Sequence, residues 1–141
     1  MTRWYPALLG AALWPVYCAA DKPAEPVKTN LCEIVKQPAQ FTGKLVRFRA
    51  TIESGVMDLP SGAADEHCGA EVPFFSTDDR YFAELVKDRE FRKLTKYLSQ
   101  TPLVQATLTG RFEYREGGNG KKPEMGLILQ SVAEVTAHKV K

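Results

Sequence analysis

Histidine, cysteine and surplus charge are all in short supply in this chain. Its 141 residues include two histidines and three cysteines, and lysine plus arginine stand at 19 against 17 for aspartate plus glutamate. His67 and His138 offer few candidate general bases, and Ser54, Ser61, Ser76 and Ser99 sit in no nucleophile elbow. Nucleophilic catalysis therefore has no legible constellation. Near-balanced charge is no footprint for nucleic acid, which asks for a clustered basic excess. The absence of a C-x-x-C pair excludes a thioredoxin-type motif. The chain reads as a protein without enzymatic activity or a cofactor.

Long apolar runs are also missing. The best, Trp4 to Tyr17, is broken by Pro6 and Pro15, and at about 14 residues it is short for the ~30 Å of a bilayer core. It follows Arg3 and precedes Cys18-Ala19-Ala20. That is the layout of a secretory signal peptide over residues 1–20, cut before Asp21. A lipid-anchored alternative would use Cys18, but Tyr17 is bulky where such a signal takes a small residue. The expected location is periplasmic or secreted, with no transmembrane span after processing. Residues 21–30, D-K-P-A-E-P-V-K-T-N, read as a flexible linker. One domain is expected over 31–141. The mature chain keeps Cys32 and Cys68, and in an oxidising compartment two such thiols are expected to form one disulfide.

What the chain does have is period-two patterning. Val46, Phe48, Ala50 and Ile52 alternate with Arg47, Arg49, Thr51 and Glu53, as a long strand with one buried face requires. Leu103 to Tyr114 repeats this, with Val104, Ala106, Leu108, Phe112 and Tyr114 on one parity, in a strand expected to run to about Glu116. A final strand over 126–135 is expected to turn Leu127, Leu129, Ser131, Ala133 and Val135 one way and Ile128, Gln130, Val132 and Glu134 the other. The tail beyond it reads as frayed. Gly117 to Glu124 is a solvated hairpin loop. A brief strand over 56–59, a loop to Glu71 and a short strand over 72–75, at an edge because of Pro73, lie between the long strands.

Two helical stretches complete the pattern. Leu31, Ile34 and Val35 mark a short helix that Pro38 stops. Residues 78–100 hold no glycine or proline. Phe82, Leu85, Val86, Phe91, Leu94 and Leu98 recur there at helical steps, with a bend or split expected at Lys87-Asp88-Arg89-Glu90. Ser76 and Asp79 approximate a capping box. Lys87, Arg92, Lys93 and Lys96 suit a helix C-terminus.

Five strands with a helix between the third and fourth, preceded by a short N-terminal helix, give a mainly β chain with the ground plan of a five-stranded OB-fold-like barrel. Phe41-Thr42-Gly43-Lys44-Leu45-Val46-Arg47-Phe48-Arg49-Ala50 resembles the F-x-G-K-x-V-x-x-x-G opening of OB-fold domains of the anticodon-binding-like type, with Ala50 where a glycine is usual. Gly110-Arg111-Phe112-Glu113 resembles their fourth strand. The span from Leu31 to Val135 is also similar to small exported bacterial proteins that begin L-C-E and carry a second cysteine after the first hairpin. The resemblance implies a fold, and it is nearly silent on function.

The leading expectation is an exported, non-enzymatic binding or interaction module of the bacterial envelope, its partner an unspecified protein or small ligand. A second reading places an oligosaccharide or nucleic acid on the outward arginines Arg47, Arg49, Arg111 and Arg115. Glu53 and Glu113 interleave with them, so a solvated, salt-bridged exterior is the simpler account. Asp65-Glu66-His67-Cys68 holds metal-capable side chains. Four adjacent residues cannot all face one ion and no second cluster has ligand spacing, so no metal site is expected. A metal-dependent hydrolase centred on His67 is the remote alternative.

Overall fold

The computed structural model describes residues 25–55, 57, 59–75, 79–101 and 103–138. The expected signal peptide, Cys18, most of the linker and Ser76 of the capping box lie outside these residues.

The two long alternating stretches form the centre. β2 (Leu45–Ser54) and β5 (Val104–Arg115) pair antiparallel from Leu45↔Arg111 to Ile52↔Val104. Their inward sets, Val46, Phe48, Ala50 and Ile52 against Val104, Ala106, Leu108 and Phe112, are all buried. β3 (Pro60–Asp65) and β4 (Ala70–Pro73) add on one side and β6 (Glu124–Ala137) on the other. The resulting order is β4-β3-β2-β5-β6, antiparallel throughout, with the two-residue β1 (Val27–Lys28) parallel to β2. The expected linker is thus structured at its end. The ends of the order touch at one isolated parallel bridge, Phe74↔Leu127, where the Phe75 amide donates to the Leu127 carbonyl over 3.0 Å. No continuous ladder among the described residues closes the path. The mainly β character stands, and the five-stranded barrel is not established by this pairing alone.

α1 (Leu31–Lys36) starts at Asn30, whose side chain accepts from the Glu33 amide at 2.9 Å. This satisfies one of the orphan donors of a helix start. Pro38 does not simply end it: with its fixed φ it opens α2 (Pro38–Phe41), as proline at a first helical position does. Leu31 and Ile34 are buried, and Phe41 packs against the core from its edge. The long helical stretch splits at Asp88 into α3 (Asp79–Lys87) and α4 (Arg89–Gln100). Phe91, Leu94 and Leu98 of α4 are buried at steps of three and four, as is Leu85 of α3, whereas Val86 is exposed. The split also undoes the expected cationic C-terminus. Lys87 closes α3, but the last turn of α4 holds no basic residue.

Two expectations fail for instructive reasons. β3 occupies residues that Pro60 and Gly62 mark as loop in the sequence. Pro60 is the strand's first residue, where a missing N–H is tolerated. Gly62 lies so close to β4 that a Cβ there would meet the Val72 carbonyl oxygen at 2.9 Å. Small residues make this a strand of close approach. The second failure is in β6, where alternation breaks twice. Register shifts separate Thr109↔Ser131 from Gly110↔Leu129, and Thr107↔Ala133 from Gln105↔Thr136. Each inserts one residue and flips the parity. Val132, expected on the face opposite Leu127 and Leu129, is therefore buried with them and Val135, and Ser131, expected on their face, is exposed. The strand also runs beyond the expected end, to Ala137.

Candidate functional site

The outward arginines follow from strand parity, since alternation that buries Phe48 and Phe112 must turn Arg47, Arg49 and Arg111 out. Register sets Arg49 beside Thr107 and Arg47 beside Thr109, with Arg111 two residues along β5. They form a row on one sheet face, but not a free one. Arg49 donates from Nη1 to the Glu134 carbonyl (3.0 Å) and to Thr107 Oγ1 (3.4 Å), and from Nη2 to Thr136 Oγ1 (2.7 Å). Its guanidinium also lies 3.9 Å from Glu134 Oε2, which accepts from Thr107 Oγ1 at 3.0 Å. Glu134 stands at the second β6 bulge with φ +51°, a left-handed conformation uncommon outside glycine. Arg49 is thus a clamp across three strands that holds the bulge.

Arg111 and Arg115 converge on the Glu113 carboxylate at 3.2 and 2.9 Å. Arg115 additionally covers the Phe75 ring at 5.1 Å, a cation–π geometry. Three of the four arginines therefore already have an acid partner. Of the two acids that interleave with the arginines in the sequence, Glu113 is used in this way, whereas Glu53 forms no ion pair among the described residues. Glu134, from β6, lies beyond what period-two reasoning on β2 and β5 could reach.

Beside Arg49 the outer surface dips into a cleft of about 260 Å³ lined by Arg49, Thr51, Asp65, Glu66, His67 and Gln105 over Ala50 and Ala64. It lies where β3 leaves β2, past the last pair Thr51↔Ala64. Small residues leave the floor low, and the rim brings a cation, carboxylates, an amide and an imidazole together. Gln105 Oε1 meets His138 Nε2 at 3.1 Å, which draws the second histidine to this end. Asp65 Oδ1 accepts from the His67 amide at 3.0 Å and lies 3.2 Å from His67 Nδ1.

Cys32 and Cys68 are joined by a disulfide with their Cα atoms 6.0 Å apart, as expected. It ties α1 to the turn after β3, which carries Gly69 at φ +68°. Asp65 lies against it: a carboxylate oxygen and both sulfurs fall within 4.8 Å of one another. α1 thus brings Cys32 beside the stretch Asp65 to Cys68. No helix among the described residues is long and apolar enough to cross a membrane.

Searches of protein-family models, curated proteins and solved structures returned no match to this chain.

Proposed function

We propose that the chain is an exported, non-enzymatic binding module of the bacterial envelope, built on an OB-fold-like barrel, with its ligand contact in the cleft between β2, β3 and β5. The cleft carries this reading. About 260 Å³ of open space with a cation, carboxylates, an amide and an imidazole at its rim suits a small polar ligand or the end of a larger one, because a few convergent polar groups fix orientation. Its lining brings no serine or thiol to His67, which favours recognition over acyl transfer. The Phe74↔Leu127 bridge between the two ends of the strand order supports the barrel. The disulfide supports export.

An oligosaccharide or peptide fragment fits this chemistry better than nucleic acid, since three of the four arginines already contact Glu113 or Glu134. The test is amide chemical-shift mapping with envelope-derived glycan and peptide fragments. Shifts centred on Arg49, Ala64, Asp65 and Gln105, abolished by Ala64→Leu, are expected. Shifts confined to residues 116–123, or none across both libraries, would overturn the reading.

A further inference from the structure

We propose that the disulfide has an alternative state: with Cys32 and Cys68 reduced, the two thiolates and the Asp65 carboxylate form a zinc site. The proposal does not rest on the cleft or its ligand. Three donor atoms within 4.8 Å of one another come from α1, from the last residue of β3 and from the β3–β4 turn. Tetrahedral zinc with Zn–S of about 2.3 Å and Zn–O of about 2.1 Å needs donors roughly 3.5–3.8 Å apart. With the Cα atoms of Cys32 and Cys68 6.0 Å apart, rotation of the two side chains can set freed sulfurs at that spacing.

The surroundings suit a metal. The Asp65 side chain is 14% exposed, and its Oδ1 is held by the His67 amide and faces His67 Nδ1. An outer partner of this kind orients a ligating carboxylate. Cys68 and His67 are exposed, which provides an entry path, and water takes the fourth position. Leu31 and Ile34 stay buried beneath α1, so Cys32 remains near the turn once the covalent link is gone. Two soft thiolates with one carboxylate select zinc over magnesium or calcium.

The conversion balances with a dithiol reductant. Its thiolate attacks one sulfur of the Cys32–Cys68 bond, which breaks to give a mixed disulfide. The reductant's second thiol then displaces the protein sulfur, and the reductant leaves as a cyclic disulfide. Two electrons and two protons have passed to Cys32 and Cys68. Zinc binding then releases both thiol protons. Metal and disulfide are mutually exclusive states of one site.

The test uses the full chain carrying Cys18→Ser, reduced anaerobically with a phosphine that is then removed, and titrated with Co²⁺ and Zn²⁺. One equivalent of Co²⁺ with a thiolate-to-cobalt charge-transfer band is expected in the reduced chain only, and Zn²⁺ displaces it. Asp65→Asn should weaken binding by about tenfold or more, and His67→Ala by roughly tenfold, each keeping the band. No band in the reduced chain overturns the proposal, as does unchanged affinity in Cys32→Ser or Asp65→Asn. Far-ultraviolet circular dichroism runs alongside: a reduced chain that unfolds and is not refolded by Zn²⁺ also overturns it.

Discussion

Arg49 shows how one side chain can look like a ligand contact in sequence and serve as a brace in the fold. Its bonds to Thr107, Thr136 and the Glu134 carbonyl span β2, β5 and β6, and Glu134 holds its φ of +51° under that grip. Removing the guanidinium leaves two hydroxyls and a carbonyl to find water at a strained bulge. Arg49→Ala should therefore destabilise the chain by roughly 1–2 kcal/mol: hydrogen bonds to a charged group are each worth about 1.5–3 kcal/mol, discounted here because the Arg49 side chain is 41% exposed. Arg47→Ala, on the same face without such a network, should stay within about 0.5 kcal/mol. Urea denaturation midpoints at constant slope separate the two. Equal losses would mean that Arg49 is no clamp.

Among the elements, the short helix α1 is the one least able to stand alone. Six residues lie far below the length at which a helix holds itself, so it depends on Leu31 and Ile34 beneath it and on the bond to Cys68. Closing a loop of sequence separation 36 removes denatured-state freedom worth about 4 kcal/mol in the chain-entropy model. Melting with and without reductant should show a loss of that order, and an unchanged midpoint after full reduction would deny the bond a structural role. In α4, Leu94→Ala should cost about 2–5 kcal/mol, because Leu94 is completely buried.

These elements also mark where sequence is readable. β2, β5 and α4 were legible because each buries one face, and burial of one face writes its period into the residue order. β3 was not, because its strand character comes from Gly62 and Ala63 fitting against β4 rather than from β-branched propensity. The parity of β6 was not, because a bulge is a relation between two strands and leaves no mark in either one. The cleft and the Cys32–Asp65–Cys68 cluster were hidden for the same reason: each is assembled from segments that only the fold brings together.

At the scale of the whole molecule, charge is paired rather than pooled. Glu113 and Glu134 sit among the outward arginines, so a polyanion approaching this face would have to compete with acids already in place. Single-stranded DNA titrated at about 50 mM salt should bind no tighter than the roughly 10⁻⁴–10⁻⁶ M of non-specific contacts. Submicromolar affinity that falls steeply with added salt would contradict this and return the arginine row to the list of sites.

The Phe74↔Leu127 bridge carries a kinetic consequence. β2 and β5 share eight consecutive pairs, while among the described residues the two ends of the strand order are joined by one bridge and one Phe75-to-Leu127 bond. Cooperative protection of amide hydrogens grows with the number of bonds that must break together. Deuterium should therefore enter first along this seam, at Phe75, long before it reaches Leu108 or Ile52. The sheet would then breathe by parting β4 from β6, like a cuff with one fastener, while the β2–β5 pair opens only when the whole chain does.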